Sequence, residues 1–391
     1  MQRETIRYLV PAVLLLALPS GLTTLPARAA TAPRPGGAAY GSSKTCGACH
    51  DVMYKAWADS PHARSATSPA FLEALRLAVE AAPDKQATRQ GCVWCHAPTT
   101  ILSGDHELKQ PISREGITCD FCHTVADVDL EKEGKPFVLE PGNVKRGPYE
   151  YAGKIQGHAT AYSALHRASP LLCASCHEFK NALGVAVLSN YSEWKDGPYP
   201  ARGVSCQDCH MALVPGSPAR GAAPRSGLRV VNLHRLVGGS AISQLARGLD
   251  LKIDSLTISG GTAEVAVIVT NAAAGHSVPG GLATKTLVLA VAAETADGKL
   301  ENRQERLFRR ELKDARGVVV GTVADMFLKA ASVGSDSRLK PKESRRERFS
   351  IGVPSGARAI TARLEYRDAS DPRSAPTTVL ITEIKRPLGA R

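Results

Sequence analysis

The sequence predicts an α+β chain built in two unlike parts. Residues 43–240 read as a mostly α-helical and irregular domain, and residues 241–391 as an antiparallel, Ig-like β-sandwich. Three observations predict this. All ten cysteines lie between positions 46 and 209. Alternating apolar runs separated by turn residues begin only after Ser240. Aromatic residues make up only 5% of the chain, too few to build the first part around an ordinary apolar core.

The N-terminus comes first. Arg3 and Arg7 precede an apolar run from Tyr8 to Leu18, which Pro19 interrupts, and Ala27 and Ala29 supply an A-x-A cleavage pattern. Residues 1–29 therefore read as a secretory signal peptide. The run is too short to span a bilayer comfortably, so a mature chain without a transmembrane segment, periplasmic or extracellular, is expected. No cysteine follows the cleavage site before Cys46, which argues against a lipid anchor. Residues 30–42, rich in Ala, Pro and Gly, read as a flexible linker.

The formal charge is +12, and loss of Arg3, Glu4, Arg7 and Arg28 with the leader leaves +10. The basic residues are scattered and no aromatic-studded basic motif accompanies them, so nucleic acid is excluded as a partner.

The cysteines carry the chemistry. They form C-G-A-C-H at 46–50, C-V-W-C-H at 92–96, C-D-F-C-H at 119–123, C-A-S-C-H at 173–177 and C-Q-D-C-H at 206–210. Two thiols three residues apart can add across the two vinyl groups of one haem, and the histidine that follows then lies beneath the iron. Zinc ribbons need C-x-x-C pairs in twos and do not require a histidine after each. Redox C-x-x-C motifs occur singly, and a disulfide framework would not place every cysteine in this pattern. The pattern therefore predicts five covalently bound haem c. Cys46, Cys49, Cys92, Cys95, Cys119, Cys122, Cys173, Cys176, Cys206 and Cys209 would form the thioethers. His50, His96, His123, His177 and His210 would be the proximal ligands. Haem carboxylates would offset much of the positive charge, each ferric haem adding roughly −1.

Eleven histidines are present, so six remain for the opposite faces. Met53, Met211 and Met326 are the methionines outside the leader, and Met211 directly follows His210. Bis-histidine ligation is therefore expected to dominate. His106, in the polar loop S-G-D-H-E, is set aside as solvated. His62, His158, His166, His234 and His276 are the candidate distal ligands. His158 and His166 are eight residues apart and, on one helix, would sit about two turns apart and serve different haems. His276 lies in a turn between two strand-like runs, from where a loop of the sandwich could reach back to an iron and lock the two parts together. The haem region spends about 40 residues per haem, so the haems themselves must form much of its core. The strand-like runs are 251–258, 263–270, 286–293, 348–353, 360–366 and 377–384.

These motifs join others in one pattern. C-G-A-C-H is followed by W-A-D-S-P-H-A at 57–63, S-R-E-G-I-T-C-D-F-C-H at 113–123 and Y-S-E-W-K-D-G-P-Y at 191–199. G-V-S-C-Q-D-C-H-M at 203–211, V-T-N-A-A-A-G-H-S-V-P-G-G at 269–281 and D-S-R-L-K-P-K-E at 336–343 complete it. From about 43 to 370 the chain resembles the exported multihaem cytochromes c that include the tetrahaem cytochrome of ammonia oxidisers, in particular relatives with a C-terminal β domain. The resemblance implies haem-to-haem electron transfer, with His62, His234 and His276 among the sixth ligands. It departs at Pro279, Gly280 and Gly281, where relatives usually show Pro-Thr-Gly.

Three functions compete. An electron carrier leads, because six-coordinate haems have no open position for substrate. Its partners would be a quinol-linked donor and a terminal acceptor. No catalytic residue is assigned. A multihaem oxidoreductase acting on a small nitrogen or sulfur compound would need one open haem. The chain has no C-x-x-C-K motif of pentahaem nitrite reductases, and too few haems for an octahaem hydroxylamine-oxidising enzyme. A subunit of a haem-lined assembly or membrane electron-transfer complex is the third reading, and an oligomer is compatible with the sequence.

Overall fold

A C-x-x-C-H run is short enough to occupy a single helical turn, which puts both thiols and the histidine on one side. The computed structural model, which describes residues 39–132, 136–150, 157–219, 230–238 and 241–388, places four of the five motifs in this way. They sit in the helices Lys85–His96, Cys119–Thr124, Leu171–His177 and Cys206–His210. The first motif straddles a helix end. Cys46 lies in Ser43–Gly47, and His50 is the N-cap of Asp51–Ala58. Polar caps start these short helices: Asp84 accepts from Ala87 N–H, Thr118 from Phe121 N–H, and Ser205 forms a capping box with Asp208.

Between the motifs the chain is helices, loops and small strand pairs. After His62 comes the helix Pro69–Ala81, capped by Ser68. Its Phe71, Leu75 and Val79 pack with Val93 and Ala97 in a small apolar cluster. Four two-stranded ribbons, among them Val125–Val128 with Phe137–Leu139, punctuate this part. The segment holding His158 and His166 is not one helix. The strand Ala159–Tyr162 follows His158, and His166 lies in the separate helix Ala164–Ala168. The signal peptide and residues 30–38 of the linker lie outside the described residues. Residues 39–42 are not free linker: Tyr40 is buried against Phe121, and Gly41 N–H donates to Asp120 at 2.6 Å.

After the helix Ile242–Gly248 come eight antiparallel strands: β1 (Leu249–Ser259), β2 (Thr262–Asn271), β3 (Lys285–Thr295), β4 (Leu300–Lys313), β5 (Ser332–Asp336), β6 (Ser344–Gly352), β7 (Ala357–Asp368) and β8 (Thr377–Pro387). One sheet runs β6-β2-β1 and the other β5-β4-β3-β7-β8. Period-two alternation sends Val265, Val267 and Val269 of β2, Leu287, Leu289 and Val291 of β3 and Ile360, Ala362 and Leu364 of β7 into one shared cluster. All six predicted runs fall on strands. β4 and β5 were not predicted, because the inward face of β4 reads Phe308, Arg310, Leu312, with a charge in the middle of the apolar alternation. The described residues fall in one compact unit, and among them no helix is long and apolar enough to cross a membrane.

Candidate haem centre

Four of the five histidines that follow a C-x-x-C pair are oriented by backbone. His50 Nδ1–H donates to the Pro218 carbonyl at 2.7 Å, His96 to Ser65 at 3.0 Å, His210 to Val237 at 2.7 Å, and His123 to Arg146. A carbonyl can only accept, so the proton sits on Nδ1 and the Nε2 lone pair is left for a metal. Three distal candidates are held alike: His158 to Ala159 at 3.0 Å, His234 to Asn232 at 2.7 Å and His276 to Ser277 at 3.0 Å.

These imidazoles face each other in pairs. Ring centroids are 6.0 Å apart for His50 and His158, 6.3 Å for His62 and His177, 6.1 Å for His123 and His234, and 6.3 Å for His210 and His276. Ring planes within each pair are 14° to 35° apart. With metal–imidazole bonds of about 2 Å and about 1.1 Å from nitrogen to ring centre, two imidazoles across one iron have centroids about 6 Å apart. The residues present therefore fit haem. Side chains meet in twos, as axial ligation requires, and among the described residues no three His, Cys, Asp or Glu converge as a zinc site would need. The ten cysteines form no disulfide.

Around His62, His177 and His234 the surroundings favour neutral imidazole, the ligating form. Burial, helped by neighbouring imidazoles, pushes His62 down to about 3 and His177 and His234 to about 4.

Two histidines stand apart. His166 lies 5.6 Å from His123, but its Nε2–H donates to the Cys122 carbonyl at 2.8 Å and its Nδ1 meets Ser163 Oγ at 2.9 Å. Both nitrogens of His166 are thus hydrogen-bonded, and His234 also faces His123, so two candidates flank that ring. His106 sits by Gln90. His96 consequently faces no histidine among the described residues. The Phe71 ring stacks on its flank at 3.9 Å.

Thiols of different motifs also meet. Cys46 lies close enough to Cys119 to interact with it, as do Cys95 with Cys176 and Cys173 with Cys206. Cys122 lies within electrostatic range of Cys176 and Cys173.

Several residues that hold the site escaped sequence reasoning. Asp120, inside the third motif, pairs with Lys145. Glu115 accepts from Ser42 Oγ at 2.5 Å and Ser43 N–H at 2.8 Å, tying the first motif to the third. Gly116, at φ 70°, lies where a Cβ would be 2.3 Å from the His62 carbonyl, which accepts from Ile117 N–H at 3.1 Å. Gly280 has a similar reason: a Cβ there would meet His276 Cε1 at 2.6 Å and Asn190 Nδ2 at 2.9 Å. Glu115, Gly116 and Asp120 lie in the run 113–123 quoted from the sequence, which did not show which segment that run would touch.

Comparison with known proteins agrees with this geometry. Residues 45–124, spanning the first three motifs, match the family described as cytochrome c554 and c-prime. The fold is similar to that of a penta-haem cytochrome c552 from Thermochromatium tepidum, at 20% identity and a TM-score of 0.70, over 90% of this chain and 99% of that one. A β-glucosidase from Kluyveromyces marxianus in complex with glucose aligns at 8% identity and a TM-score of 0.15, over 36% of this chain and 15% of that one, and carries no argument. Among curated proteins no sequence match reaches significance. The family match is confined to residues 45–124, and the penta-haem cytochrome shares the fold over most of the chain.

Proposed function

We propose that the chain is a pentahaem electron carrier working outside the cytoplasm, exported by the 1–29 leader. Four haems would sit between His50 and His158, His62 and His177, His123 and His234, and His210 and His276. The observation that carries this reading is the set of four facing imidazole pairs at 6.0–6.3 Å. The haem count in the structural neighbour's description, penta-haem, supports the fifth. Bound haem supplies one-electron redox chemistry, and the protein orients the ligands and sets the haem spacing. The thiol contacts favour an order in which the first haem adjoins the third, the third the fourth and the fourth the fifth, with the second joining at the fourth. The domains would divide as 43–240 around the haems and 241–391 as an Ig-like sandwich. The strand order β6-β2-β1 against β5-β4-β3-β7-β8 supports that label.

A second reading rests on His96, which faces no other histidine. The haem at 92–96 would then have an open position, and the protein would be an oxidoreductase for a small nitrogen or sulfur compound. Electron paramagnetic resonance of the oxidised holoprotein tests both. Four low-spin bis-imidazole centres are expected, and fewer than four would overturn the proposed ligand set. A low-spin fifth centre leaves a carrier. A high-spin fifth centre directs the work to turnover of nitrite, hydroxylamine and sulfur oxyanions.

A further inference from the structure

The helix Asn190–Lys195 touches both sides of the site at 206–210. Trp194 Nε1–H donates to the Val204 carbonyl at 3.0 Å, two residues ahead of Cys206 and on the same run as the proximal His210. The same ring lies where a Cβ on Gly275 would meet it at 3.1 Å, next to the distal His276. One turn of helix thus borders the segments that carry both imidazoles of a facing pair.

Glu193 makes the stronger hold. Its carboxylate accepts from Ser277 N–H at 2.9 Å, from Ser189 Oγ at 2.7 Å and from Arg338 Nη2 at 2.6 Å. Ser277 is the residue after His276, and its own carbonyl accepts from His276 Nδ1. Arg338 is 5% exposed at its side chain and also pairs with Asp336 at 2.7 Å. Buried Arg310 reaches Ser189 Oγ at 3.3 Å and lies 4.0 Å from Asp336. Two carboxylates and two guanidinium groups balance where the haem-bearing part meets β4, β5 and the loop after β2. From the other side, fully buried Asn271 donates to the His276 carbonyl at 3.0 Å and accepts from Ala274 N–H at 3.0 Å.

We propose that Glu193 is the positioning residue for His276. Through Ser277 and Arg338 it holds the loop of the β domain at the one depth that sets His276 opposite His210. This rests on the reading of His276 as a sixth ligand. All three partners of Glu193 are donors, so a carboxylate satisfies every one of them. A glutamine would have to turn its own NH2 toward a donor and would leave Arg338 short of a charge. The ligand comes from a different domain, so its depth is set by this contact rather than by the covalent spacing that fixes His210.

The test counts carbon monoxide bound per chain by the reduced holoprotein, alongside the high-spin resonance of the oxidised form. E193Q is expected to add one carbon monoxide per chain over wild type, together with a new high-spin signal. E193D, which keeps the carboxylate, is expected to restore most of the wild-type count. R338K retains charge but cannot fork between Glu193 and Asp336, and is expected to shift the count the same way. It decides the matter if E193Q fails to accumulate. H276A separates the two levels of the argument. If H276A leaves the count unchanged, His276 is not a ligand and the proposal falls with that assignment. If H276A raises the count while E193Q and R338K do not, the ligation stands and the positioning role of Glu193 is overturned.

Discussion

The two parts of this chain are built on opposite physical plans. Of the twelve largest fully buried side chains among the described residues, ten lie after residue 280, and only Val93 and Val125 belong to the part that carries the C-x-x-C-H motifs. The β part has one continuous cluster shared by both sheets, whereas the first part has separate small clusters around Phe71 and around Phe121. A sheet pair buries enough apolar surface to hold itself together, at about 25 cal/mol per Å². Short helices joined by loops do not, and the space between the facing imidazoles is where the missing core would be. We infer that the first part would depend on bound haem for folding, whereas the second would not.

The largest effect that would break this comparison comes from preventing haem attachment. In haem-free protein, hydrogen exchange is expected to show amides of 249–388 still protected and those of 43–238 exchanging as in an unfolded chain. Cooperative protection of the first part without haem would end the argument. Next in size, F308A should destabilise the β part by about 3–5 kcal/mol, since Phe308 is 2% exposed in the shared cluster. A thermal melt followed by far-ultraviolet circular dichroism would register it, while low-spin haem spectra below the melt stay unchanged. A smaller, local effect separates His234 from His166. H234A should convert one low-spin centre to an open one in the resonance spectrum, and H166A should leave the number of low-spin centres as in wild type. The opposite result would exchange their assignments. The smallest effect is expected at the surface of the helix Pro69–Ala81. There Glu80 pairs with Arg76 in solvent, and E80A should leave the unfolding midpoint unchanged within error.

Local features were legible in the sequence and distant ones were not. Six of the strands follow from periodicity that a window of residues displays. Strand β4 was hidden because Arg310 faces inward, and that is intelligible only once Glu193, Asp336 and Ser189 are seen around it. Histidine arithmetic identified a pool of distal candidates, and counting could not reveal that the Cys122 carbonyl occupies His166. Nor could it reveal that the motif at 92–96 would be left facing no histidine.

The sequence by itself determined where haem would attach. Two thiols and an imidazole within five residues are held together by covalent geometry, and no other part of the chain need be known. Only the tertiary structure decided which imidazole meets which. His62 faces His177 and His276 faces His210 because separate segments fold over one another, and their approach is set by contacts such as Gly116 against His62 and Glu193 against Ser277. A proximal ligand is fixed by spacing along the chain. A distal ligand is fixed by packing between segments, which spacing does not encode.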